Sequence, residues 1–167
     1  VEKTSALWDR SGVVDDTWTP YSQVVLPALS AAFLTADDAA LHAHRRIGRR
    51  REQGLGGLIL KRGDGRFVVT EPLPAGPRPF AFAGGYPVDR QKQPIILHPD
   101  HHLHGRYASR TALSLTDPAQ AVERKWTRQD TELNAQMFLA DDVADLLATG
   151  QVGYLSGTED CLLALAP

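Results

Sequence analysis

Apolar and polar positions along the chain change period several times, and each change marks an element. Across residues 36–50, Leu41, His44 and Ile47 recur at helical spacing, which predicts a helix. Thr35 is placed to cap it. Asp37 and Asp38 fall in its first turn, and Arg45, Arg46, Arg49, Arg50 and Arg51 gather at its far end, the charge order a helix dipole favours. Residues 57–60 and 67–70 then read as two strands joined by Arg62-Gly63-Asp64-Gly65, because Asp-Gly between β-rich runs signals a hairpin. Four prolines within residues 71–79 predict an extended loop. Residues 80–83 and 95–97 read as short strands. Residues 102–109 alternate, with Leu103, Gly105, Tyr107 and Ser109 on one face and His102, His104, Arg106, Ala108 and Arg110 on the other. Helical spacing returns across residues 127–149, interrupted near Phe138, with Leu133, Met137, Val143, Leu146 and Leu147 as its apolar side and Gly150 as its C-cap. The chain closes on strands at 152–156 and 161–165, a hairpin around residues 157–160.

The order of helix, strands, helix, strands predicts an α+β domain: a single mixed β-sheet with flanking helices. Residues 31–167 are expected to form it. Residues 1–30, with Trp8, Trp18 and Tyr21 spaced by polar residues, read as an arm packed on the domain.

Composition narrows the function classes. The 167 residues suit one domain, which buries roughly 70% of the surface its unfolded chain exposes. A formal net charge of -2 gives no basic field for nucleic acid or an anionic membrane, so neither is expected as a partner. Cys161 is the sole cysteine, which excludes an internal disulfide and a thiolate zinc finger. No apolar run approaches the ~18 residues needed to span a bilayer. The polar start does not resemble a signal peptide. With Val1 first and Met137 the sole methionine, a piece of a longer polypeptide is expected. The location that follows is cytoplasmic, or secreted within a larger effector.

Two segments carry a family resemblance. Glu52-Gln-Gly-Leu-Gly-Gly-Leu-Ile-Leu is similar to the segment after the first helix of JAB/MPN (JAMM) domains, where a glutamate precedes a glycine-containing strand. The closing Tyr154-Leu155-Ser156-Gly157-Thr158-Glu159-Asp160, followed by Leu162-Leu163, resembles the last hairpin of a bacterial branch that includes domains attached to large toxin-like proteins. The family's third mark is a His-x-His pair on a strand, then Ser-x-x-Asp at a helix start. The resemblance covers roughly residues 33–165. It implies a JAB/MPN-like sheet with a cytidine-deaminase-like layout. It also implies a zinc ion held by two histidines and an aspartate, with a glutamate as general base. Zinc hydrolysis needs three protein ligands and an open position for a water whose pKa the metal lowers.

Two registers place that site differently. In the first, His102 and His104 are the metal pair, Asp117 the third ligand, Ser114 the serine of Ser-x-x-Asp and Glu52 the base; nine residues separate His104 from Ser114. In the second, Tyr107-Ala108-Ser109-Arg110 stands where the family has its histidine pair, and Phe138-Leu139-Ala140-Asp141-Asp142 where it has Phe-Ser-x-x-Asp. Ala108 cannot ligate, and Arg110 brings positive charge to a cation site. The second register suits the flanking strand and the distances to the closing hairpin, and it is preferred here. Asp142 then marks the former third ligand.

The expectation is therefore a degenerate, non-catalytic domain without a cofactor, working as a protein-interaction or regulatory module on a protein partner or another domain of its own polypeptide. The alternative is a zinc-dependent peptidase or isopeptidase. A second is an effector or toxin fragment cut from a larger chain. The run His98-Pro99-Asp100-His101-His102-Leu103-His104 holds four of the six histidines and reads either as a metal site or as a solvated loop entering a strand. His42 and His44 on a helix do not face together. Cys161 reads as a small core residue. No Gly-x-Ser-x-Gly supports a triad on Ser109 or Ser114.

Overall fold

The structure is a computed structural model and describes residues 25–50, 53–109, 137–157 and 161–167. Helix α1 (Ala36–Ile47) begins where Thr35 turns its hydroxyl to the Asp38 N–H, 3.1 Å away. It stops at Gly48, whose φ of 51° suits glycine, and the Gly48 N–H bonds the His44 carbonyl. Arg49 and Arg50 therefore lie beyond the helix that the sequence pattern extends over them. Strand β1 (Leu55–Arg62) and β2 (Phe67–Val69) form the expected hairpin, turned at Gly65 with φ 82°.

Four further strands complete the sheet. They are β3 (Leu73–Pro74), β4 (His101–Ser109), β5 (Val152–Ser156) and β6 (Leu162–Leu165). The order is β2-β1-β4-β5-β6, with β3 pairing β1 at Leu55 and Gly56. The β4–β5 pair is parallel and the rest antiparallel, so the sheet is mixed and the class α+β. Helix α2 (Ala140–Thr149) lies between β4 and β5 in sequence. Along β2, Phe33 and Phe67 exchange backbone hydrogen bonds, and the Ser30 N–H bonds the Val69 carbonyl. Residues 28–33 thus pair with the hairpin's outer strand. Trp8, Trp18 and Tyr21 lie outside the described residues.

Each sheet face has its own core. On one, Ala39, Ala40, Ala43 and Ile47 of α1 meet Leu55, Ile59, Val69, Tyr107 and Tyr154. The small alanines let the helix approach closely. On the other, Leu58, Leu60 and Val68 meet Tyr86 and Leu103, while Ala108 and Leu155 meet Phe80 and Leu146 of α2. The two helices therefore cover opposite faces.

Several local expectations need correction. Residues 80–83 are not a strand: Pro79–Ala81 forms a short 3-10 helix, for which proline at its start is suited. Residues 95–97 form no strand either; the Ile95 N–H instead bonds the Pro87 carbonyl in a loop. Helix α2 starts at Ala140, after an extended Leu139; residues 127–136 lie outside the described set. The alternation across β4 also fails. Leu60 pairs Leu103 and Ile59 pairs Gly105, so His104 is an extra, bulged residue. Leu103 consequently joins the Leu58–Leu60 cluster while Tyr107, four residues on, joins the α1 face.

Candidate functional site at the ends of β4 and β5

The start of β1, the ends of β4 and β5 and the start of α2 belong to the preferred register's site. Gly56 pairs Ala108, Ala108 pairs Leu155, and Ser109 pairs Ser156. Close pairing here demands a residue without a side chain: a Cβ on Gly57 would fall 2.5 Å from both Thr70 Oγ1 and the Tyr107 hydroxyl. Those two groups are occupied. Thr70 Oγ1 accepts from the Leu58 N–H at 2.9 Å, and the Tyr107 hydroxyl donates to the Thr70 carbonyl. Burial pushes the Tyr107 hydroxyl well above the usual tyrosine range, so it stays protonated as a donor.

Ala108 is 0% exposed and packs against Phe80, Leu146 and Leu155. Ser109 is buried, and its Oγ accepts the Leu55 N–H at 3.1 Å. Asp142, also buried, accepts the Leu139 N–H at 2.7 Å through one carboxylate oxygen. That bond is the carboxylate half of a capping box; Leu139, where a serine would complete the box, has no hydroxyl to return. Asp142 thus has a helix-starting role. Glu52, Arg110, Ser114 and Asp117 lie outside the described residues.

Sequence reasoning missed a polar pair beside this position. On the α1 side of the sheet, His44 Nδ1 and Ser156 Oγ are 2.5 Å apart. A Ser–His contact is the first requirement of an activated nucleophile. Ser156 is only 1% exposed and His44 6%, so the pair is closed to substrate in this structure and ties α1 to β5. The Tyr154 hydroxyl, hydrogen-bonded to Asp37 at the start of α1, makes the second tie. The signal lay in alternation: Tyr154 and Ser156 share a strand face, as do Tyr107 and Ser109.

The first register's histidines lie elsewhere. His102 pairs Lys61, whereas Ala108 pairs Gly56. Gly56 and Lys61 are five steps apart along β1, about 16 Å at roughly 3.3 Å per residue. His102 is exposed. His104 packs edge-on against Phe67, with ring centres 4.9 Å apart, and burial first, then Lys61, lowers its pKa.

No family model matches the chain, and neither a curated protein nor a solved structure matches it. The α+β class rests on the structure, and the family resemblance on its residues alone.

The opposite sheet face carries a second buried polar centre that the pattern placed without a role. Arg106 is 1% exposed. Its guanidinium donates to the Phe80 and Phe82 carbonyls and to the side-chain oxygens of Gln93 and Gln151, at 2.9–3.2 Å. It therefore fastens the 3-10 turn and the following loop to the sheet.

Proposed function

We infer that the chain is a JAB/MPN-like domain that has lost its metal centre and acts by binding a protein partner or another part of its own polypeptide. The observation that carries this reading is Ala108. It occupies a family histidine position in the preferred register, offers no donor, and lies in a filled apolar core with Phe80, Leu146 and Leu155. A metal-ligating imidazole needs volume there that those side chains occupy. Asp142 spends a carboxylate oxygen on the Leu139 N–H. The residues present do not fit a catalytic zinc at this position, and no hydrolytic step runs through one.

The expected outcome is that zinc-supplied protein hydrolyses neither peptide nor isopeptide bonds above the uncatalysed rate. Binding without turnover is expected once the partner is supplied. Zinc-dependent cleavage abolished by His102→Ala would restore the peptidase reading.

A further inference from the structure

We propose that the exposed arginines at the end of α1, Arg45, Arg46, Arg49 and Arg50, form a docking surface for a short acidic segment of a protein partner. The proposal deepens the partner-binding reading and rests on it for the class of partner.

The four side chains are exposed within residues 45–50 of a chain whose net charge is -2, so positive charge gathers here against the overall balance. The fold supplies it with no counter-charge. The ion pairs of the described residues are Arg62–Asp64 and Arg78–Asp145, and no described carboxylate pairs with any of the four. The Arg50 guanidinium donates to the Arg46 carbonyl at 3.0 Å, which folds it back over the helix end and towards the charges there. Burial raises the Tyr107 hydroxyl pKa, and after the Thr70 bond both Arg46 and Arg50 act against that rise. The fields of two guanidinium groups thus overlap at one end of the sheet. Glu71 also acts on Tyr107, but its carboxylate accepts the Ala28 N–H at 3.0 Å instead of an arginine.

The helix dipole does not absorb this charge. It amounts to about half an elementary charge and reaches only the last turn. Arg49 and Arg50 lie beyond Ile47, where α1 ends. A guanidinium presents a planar fork of donors that matches a carboxylate or a phosphate. The charge pattern along α1 favours carboxylates on a short protein segment. A nucleic-acid backbone needs a basic stripe to follow. The other end of α1 instead carries exposed Asp37 and Asp38, and Asp38 stands eight positions before Arg46, about 12 Å along the helix. A long polyanion laid along α1 would meet that negative end.

Fluorescence anisotropy of a fluorescein-labelled octaglutamate peptide, titrated with the untagged protein at low ionic strength, tests this. The expected result is saturable binding that weakens as sodium chloride is added. Arg45→Gln/Arg46→Gln/Arg49→Gln should weaken it about tenfold or more. Arg66→Gln/Arg90→Gln/Lys92→Gln removes equal charge from exposed positions elsewhere and should leave it unchanged. Absence of binding to wild type, or equal loss in the two variants, overturns the surface. Tighter binding of a labelled single-stranded RNA of equal charge, lost in the Arg45/Arg46/Arg49 variant, also overturns it and assigns the arginines to nucleic acid. If that variant unfolds by circular dichroism, amide shifts in the wild-type NMR spectrum on peptide addition decide. Shifts that start at residues 45–50 support the surface, and shifts that start elsewhere overturn it. Zinc-dependent cleavage would overturn the degenerate reading and leave this surface standing, so the two failures are distinguishable.

Discussion

Arg106 shows how one residue organises the face on which α2 lies. Its charge is buried, its pKa is lowered by that burial, and neutral oxygens receive its hydrogen bonds. Removing it orphans two backbone carbonyls and two amide oxygens at once, and each buried orphan costs about 1–3 kcal/mol. Arg106→Ala should therefore destabilise the fold by about 3 kcal/mol or more, read as a lower urea midpoint. Arg106→Lys should recover little, because an ammonium cannot span four acceptors fixed by a planar fork. The sequence placed Arg106 on a strand face with His104 and Ala108 and gave no sign of its burial, since arginine is seldom buried unless paired. Tyr107 is the converse case. Its core position was readable from alternation with Ser109, and its bond to Thr70 was not. Tyr107→Phe leaves that carbonyl unpaired and should cost about 1–2 kcal/mol in the same assay.

Elements with strong local signals were legible. The α1 cap at Thr35, the Asp-Gly hairpin and the C-cap at Gly150 all depend on neighbours within a few residues, and they stand where the pattern places them. The bulge at His104 does not depend on neighbours in sequence. It follows from how many residues of β1 oppose β4, and β1 lies more than forty positions earlier. The clear alternation of residues 102–109 therefore misassigned Leu103. A double-mutant cycle checks the corrected face. Leu60→Ala and Leu103→Ala should couple by about 0.5 kcal/mol or more, being paired in one cluster. Leu103→Ala and Tyr107→Phe, on opposite faces, should add. The candidate site was legible as two rival stretches of sequence. Their separation, about 16 Å measured along the paired strand β1, was not, because it too is a matter of register.

Across the described residues, the two sheet faces carry different elements. One face seats α1 through alanines; the other carries α2 and the loop that Arg106 fastens. His42, His98 and His104 all have pKa values lowered first by burial. Their unfolded forms take up protons near pH 6.5 while the folded forms resist. The fold should thus be fully stable above that value and lose stability as pH falls through it towards the lowered folded values. His104→Gln should flatten that part of the profile in thermal melts at constant ionic strength.

The central proposal is that the chain, read as JAB/MPN-like, lacks the metal centre of that family. Zinc content of the untagged protein, by mass spectrometry after zinc loading, tests it most directly when wild type is set beside His102→Ala/His104→Ala. The same zinc content is expected in both. Close to one zinc per chain in wild type, lost in the double variant, would contradict it and return Glu52 and Asp117 to a catalytic site.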